Sequence, residues 1–493
     1  MRRPIALLAS VLVLGGAPLA AAHAAGRGAP STYADADYRA HDIENMQRRL
    51  ERQTSELTTP GWDSAFVTSS GQSWLASQSR QAGDLRDARL HATLGSVLPG
   101  GATGEPQDYG TGTWRDVSFL SRTGAKLYGR IWGSEGSTPK PGVVITTGSI
   151  QGTQEMYWWF ARTLAAAGYE VMTWDVQGQG ESETQGHAFG SAAPTADGVP
   201  FQQAANFEDG TIDALRFFLS TPAQQYRPLP RTPADVAAAK AHAAGTGEHL
   251  DWSNPGAAAL DHSRIGIVGH SLGASAVSAV QQCSDQGSAW RTVPLCQGTP
   301  FPIRAVVAWD RLDSAGIVPV VPALDEEADG YFLNPQPTTT APDPAGHLAA
   351  ERAWAKAGLD TMTFTVRGGV HTEWAVYPLI SLGTSYGTAM ANYYSLAWMD
   401  RYVRGDHHAT TRIVSGPGAS GPDTPWNAHH FSVRYLSALH LRQGAHTIDR
   451  VDLRRAAGLS PVADWAGANR DTVGTYNPAT AAGHGDGTAG LSG

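Results

Sequence analysis

The stretch RIGIVGHSLGASAVSAVQ, residues 264–281, changes character at its centre. Ile265, Ile267 and Val268 form the short apolar run of a buried strand, whereas the small residues from Ala274 to Val280 read as a helix. The chain must therefore bend sharply at Gly-His-Ser-Leu-Gly, 269–273, where Gly269 and Gly273 remove side chains that would collide in the turn. Ser271 stands at the apex, beside the free amides of a helix N-terminus, which favour developing negative charge. With 56 glycines in the chain the bare motif carries little weight, and GTSYG at 383–387 is a second match. Context separates the two: Ser385 stands just before a long closing helix and fits a cap or turn.

Working outward, WRDVSFLSRTGAKLYGRIWG (114–133) reads as two strands joined at Thr123-Gly124, and PGVVITTG (141–148) as a buried strand. Alternation follows. EMYWWFARTLAAAGY (155–169) is a helix, EVMTWD a strand, and FEDGTIDALRFFLS (207–220) a helix with Ile212, Leu215 and Leu219 on one face. After the quoted stretch come strands RAVVAWD (304–310) and VPVVPAL (318–324), helix 344–358, strand DTMTFTVRG (360–368) and a helix over 387–405. This order predicts an α/β fold, with a mostly parallel sheet flanked by helices on both faces.

A serine hydroxyl is a weak nucleophile until a base takes its proton, and that base needs a carboxylate to fix its tautomer. Among 17 histidines, His371 in TFTVRGGVHTEW follows the last strand and a Gly-Gly bend, which places it at the same carboxyl edge of the sheet as Ser271. His270 adjoins the serine and reads as a packing or hydrogen-bonding neighbour. The carboxylate is expected from the loop after VPVVPAL, where Asp329 fits best. Asp325, Glu326 and Glu327 compete with it, and Asp310 or Asp313, after RAVVAWD, form a second origin. Oxyanion donors are expected at the Leu272 amide and, from the loop TTGSIQGTQ, at Ser149 or Ile150. Trp158, Trp159, Trp309 and Trp374 border these loops as candidates for an apolar substrate wall, the alternative being plain core. DVQGQGES (175–182) has glycines but lacks a phosphate-binding lysine, so it reads as a structural turn.

These residues resemble the α/β-hydrolase superfamily over about 114–405, through GHSLG at 269–273, the D-x-x-G-x-G-x-S turn at 175–182, the oxyanion-type loop GSIQGTQ at 148–154, and the order Ser271, Asp329, His371. The resemblance implies a Ser-His-Asp mechanism on an ester-like or amide-like substrate, and GTQ is similar to the corresponding residues of secreted bacterial lipases and cutinase-like esterases. The expectation is a secreted carboxylesterase or lipase without metal or organic cofactor. A secreted peptidase or amidase is the alternative enzyme, and a non-catalytic binding protein the alternative from another class.

The ends and the composition complete the reading. Residues 1–24 read as a secretory leader, with Arg2-Arg3, an apolar run and small residues up to Ala24, too short and too rich in Ala and Gly for the stable membrane anchor that is the alternative. Removing those two arginines takes the net charge from −9 to −11, which offers nothing to nucleic acid or an anionic membrane. The cysteines are two, Cys283 and Cys296, and in an exported chain they are expected to form a disulfide. Residues 25–111 form an N-terminal helical and polar segment, with an amphipathic helix over 34–57 carrying Ile43, Met46, Leu50 and Leu57. The catalytic domain spans 112–405, with a cap-like insertion at about 221–261. The C-terminal extension, 406–493, has one strand-like run, FSVRYLSALHL, and an end too polar and Gly-rich to fold alone.

Overall fold

A computed structural model describes residues 36–55, 113–149, 152–195, 198–199, 203–328, 348–366, 369–375, 387–415, 431–436, 442–443, 446–447 and 450–451. The expected leader over 1–24, Ile150, Asp329 and Ser385 lie outside the described residues.

A ten-stranded sheet forms the centre. Its strands are β1 (Trp114–Leu120), β2 (Lys126–Trp132), β3 (Lys140–Thr146), β4 (Glu170–Trp174), β5 (Leu260–His270), β6 (Ile303–Trp309), β7 (Ala323–Ala328), β8 (Thr361–Val366) and β9 (Phe431–Leu436), closed by Arg450–Val451. The spatial order is β1-β2-β4-β3-β5-β6-β7-β8-β9, then Arg450–Val451. From β4 to β8 all neighbours are parallel, while β1, β2, β9 and the last strand pair antiparallel. β9 belongs to the expected C-terminal extension, so the sheet reaches beyond residue 405.

Helices α2 (Trp158–Ala166) and α7 (Gly387–Met399) cover one face; α3 (Ala204–Phe218) and α5 (Leu272–Val280) cover the other. Burial on both faces explains why β3, β5 and β6 read as continuous apolar runs rather than alternating ones. The insertion folds around α4 (Pro233–Thr246), whose start is a capping box between Thr232 and Asp235. It is tied to β1: Tyr226 Oη donates to the Leu120 carbonyl at 2.6 Å, and Asp251 accepts the Ser118 amide at 2.8 Å. Cys283 and Cys296 are disulfide-bonded, with Cα atoms 5.2 Å apart.

Two elements differ from the sequence expectation. VPVVPAL is not the strand: β7 begins at Ala323 and runs through Asp325, Glu326 and Glu327, all buried. Of the three, Glu326 is supplied with donors inside the fold by Trp374 and Ser395, partners that the local polar pattern does not reveal. On helix α1 (Ala36–Ser55) the buried stripe is Tyr38, Asp42, Asn45, Met46 and Arg49, while Ile43 faces outward at 36% exposure.

Candidate active site

The turn after β5 forces Ser271 to φ 57° and ψ −122°, a region sparsely used by non-glycine residues. A Cβ on Gly269 would sit 2.1 Å from the Gly273 carbonyl oxygen, and one on Gly273 2.4 Å from that of Thr147, so both positions exclude any side chain. Ser271 retains 9% exposure.

His371 Nε2 lies 2.7 Å from Ser271 Oγ, and its Nδ1 meets Asp310 Oδ2. While the favoured Asp329 lies outside the described residues, the carboxylate found on the histidine is Asp310, the second origin the sequence allowed. The reason is register: β5 and β6 pair His270 with Trp309, so the next residues on the two strands, Ser271 and Asp310, emerge side by side at one edge. Asp310 itself has φ 61°, and its second oxygen accepts the Ala328 amide at 2.6 Å, which fixes the carboxylate plane. Of the other candidate acids, Asp313 bonds Arg311 at 3.2 Å. Glu326 accepts from Trp374 Nε1 and Ser395 Oγ, each at 2.8 Å. Burial pushes its carboxyl up to about 8, opposed by those two bonds. Burial, then the neighbouring Glu327, holds Asp325 far above the usual carboxylate range.

His270 is built into the same edge. Its Nε2 lies 2.6 Å from the His371 carbonyl oxygen, an acceptor only, so Nε2 carries the proton and Nδ1 accepts from Tyr157 Oη at 2.7 Å. Tyr157 Oη in turn accepts the Gly148 amide at 3.0 Å. Burial, then repulsion from His371, lowers His270 to about 3, which keeps the ring neutral. The residue read from sequence as a neighbour thus links the loop at Gly148 to the backbone of His371.

The Leu272 amide opens α5 directly behind Ser271, and Ser149 follows the end of β3 beside it. Parallel pairing of Thr146 with Gly269 brings that strand end to the turn that carries Ser271. The tryptophans turn out as core. Trp158, Trp159, Trp309 and Trp374 are at most 3% exposed, Trp159 and Trp309 stack at 5.4 Å, and the indoles of Trp159, Trp309 and Trp374 donate inward, to the Trp374 carbonyl, Ser395 and Glu326. They anchor the His371 loop from beneath instead of forming an open wall.

A residue that sequence reasoning missed is Gln179, in the turn read as structural. Its Nε2 donates to the Gly148 carbonyl at 2.9 Å and the Gly152 carbonyl at 2.7 Å, and lies 3.1 Å from Thr147 Oγ1. The glycines on either side of it were the only signal, marking a tight turn without saying what it carried. Among the described residues no group of three or more His, Cys, Asp or Glu is arranged to hold a metal. No protein family matches the sequence, and no curated protein matches it.

Proposed function

We propose that the chain is a secreted serine hydrolase of the α/β-hydrolase fold that cleaves carboxylic esters through an acyl-enzyme. The observation that carries this reading is the continuous contact Ser271 Oγ, His371 Nε2, His371 Nδ1, Asp310 Oδ2 at the carboxyl edge of a parallel sheet. Ser271 Oγ attacks the ester carbonyl as its proton passes to His371 Nε2, and Asp310 stabilises the imidazolium. The carbonyl oxygen becomes an oxyanion held by the amides of Leu272 and Ser149. On collapse the alkoxide leaves with the proton from Nε2. Water, activated by the same histidine, then releases the acid and frees Ser271. The strand order and the strained serine between a strand and a helix support the hydrolase fold. Export is supported by the leader-like N-terminus and the disulfide. Among the described residues no helix is long and apolar enough to cross a membrane.

The test is labelling by a fluorophosphonate, with the adduct located by peptide mass mapping, alongside turnover of p-nitrophenyl esters and peptide anilides. Ser271 should carry the label, Ser271→Ala should abolish it, and esters should be the better substrates. A label on Ser385, or none, removes the mechanism; faster cleavage of anilides turns the assignment to a peptidase.

A further inference from the structure

Helix α1 docks through three buried polar groups, Asp42, Asn45 and Arg49, set among Tyr38 and Met46. Asp42 Oδ1 accepts the Gly180 amide at 2.8 Å, and Asn45 Nδ2 donates to the carbonyls of Gly180 and Ser182 at 3.0 and 2.9 Å. Thr184 Oγ1 donates to Asn45 Oδ1 at 2.6 Å. One turn further, the fully buried Arg49 donates to Gln179 Oε1 at 3.0 Å. Every one of these contacts falls on residues 179–184, the turn after β4.

The contact with Gln179 has a directional consequence. With Oε1 taken by the guanidinium, the amide can present only Nε2 to Gly148, Gly152 and Thr147; the flipped amide would set its oxygen against two carbonyl oxygens. The Gly148 carbonyl is thus drawn toward Gln179. Because a trans peptide holds C=O and the next N–H on opposite sides, the Ser149 N–H points the other way. Gly148 packs against His270, the residue before the nucleophile: a Cβ there would lie 2.9 Å from His270 Nδ1.

We propose that Gln179, oriented by Arg49 of the N-terminal helix, is the positioning residue that aims the Ser149 amide at the oxyanion, so that the N-terminal segment is part of the catalytic apparatus. This rests on the serine-hydrolase reading. Arg49 touches no reacting atom; it acts through Gln179, and Gln179 acts through the peptide plane of Gly148. Oxyanion donation matters in the transition state, so misaiming it lowers kcat while leaving substrate affinity in place.

The test uses the full chain and three variants, Gln179→Met, Arg49→Met and Arg49→Lys. Losing one oxyanion donor outright costs ~10²–10³-fold in kcat, so misaiming it in Gln179→Met should cost about 10–10²-fold with KM within about threefold. Arg49→Met should follow in the same direction, and Arg49→Lys, which keeps a donor for Oε1, should recover part of the loss. Affinity for an alkyl boronic acid, which forms a tetrahedral adduct on the serine, should fall by the same factor as kcat/KM. A purely structural role would lower the melting temperature without that parallel. If Gln179→Met does not fold, the two Arg49 variants decide alone. Wild-type kcat and boronate affinity in folded Gln179→Met or Arg49→Met, with wild-type enzyme active and labelled at Ser271, overturns the inference alone. Wild-type protein inert to esters and to the probe overturns the hydrolase reading and this inference with it.

Discussion

The substitution Asp310→Asn isolates the charge of the acid from its shape. Asparagine tolerates a left-handed backbone at least as well as aspartate, so φ 61° is not a reason for the variant to unfold. Its carbonyl oxygen can keep the Ala328 amide, now 2.6 Å from Oδ1, which leaves the NH2 group facing His371 Nδ1 where Oδ2 stood. That donor can be met only if Nδ1 is unprotonated, and the proton then resides on Nε2, 2.7 Å from Ser271 Oγ. The histidine is in the wrong tautomer to accept the serine proton, and the imidazolium loses its counter-charge. In serine hydrolases the combined effect is a fall of ~10³–10⁴-fold in kcat. Steady-state kinetics on one activated ester, with melting temperature as a folding control, should show that fall at nearly constant KM. Asp329→Asn should stay within about tenfold of wild type. A folded Asp310→Asn with wild-type kcat refutes the assignment of the acid, and a crippled Asp329→Asn returns it to the loop after β7.

Two further outcomes follow from the strained serine and the buried carboxyls. Ser271→Gly relieves a side chain from φ 57°, so it should be inactive yet more stable than Ser271→Ala by about 1 kcal/mol in urea unfolding; equal stabilities would mean the turn is unstrained. Burial raises Asp175 and Glu326 to about 8 and Glu170 to about 7, so each favours folding most below its unfolded pKa near 4 and loses that contribution as pH rises to its folded value. His270, lowered to about 3, works in the opposite sense and only below about pH 6.5. Stability should therefore decline from pH 6.5 to 8.5, and Glu326→Gln should flatten the decline by up to about 1.4 kcal/mol per pH unit; a flat wild-type curve in that window contradicts the burial of these groups in the folded state.

What the sequence disclosed was set by how local its physical cause is. The GHSLG turn was legible because strand, bend and helix are contiguous, and His371 because a Gly-Gly bend after an apolar strand is a short-range signal. The acid is harder to place because it depends on where β7 ends. Asp325, Glu326 and Glu327 look like loop residues until Trp374 and Ser395, close to 50 and 70 positions later, supply Glu326 with donors inside the sheet. A β7 that ends at Leu324 draws the acid to the loop after it and leaves Asp310, at the end of the strand beside the serine, second, whereas β7 runs on to Ala328. The polar docking face of α1 was illegible for the same reason: Asp42, Asn45 and Arg49 find their partners more than 120 residues away, and helical periodicity ranks them as solvent-facing.

The two strained residues explain why a sheet edge suits this chemistry. Ser271 and Asp310 each depart from ordinary backbone geometry at the first position beyond a strand, and each is held by the neighbouring strand: the Ser271 amide bonds the Trp309 carbonyl at 3.0 Å, and the Asp310 amide bonds that of Glu326 at 2.7 Å. The ladder thus extends one residue past each strand end, so the sheet supplies the energy that keeps φ positive, a cost of about 1–3 kcal/mol per site. Neither residue relies on its own loop for placement. Register among β5, β6 and β7 sets the spacing of Ser271 and Asp310, and His371 then needs only to reach a fixed pair. Its own loop is pinned through its carbonyl to His270, through the Trp374 indole to Glu326 and through the Trp374 carbonyl to Trp159. A slip of one residue between β5 and β6 would turn the side chains of the slipped strand to the other face and part Ser271 from Asp310, which makes the buried apolar pairing of those strands the source of the site's precision.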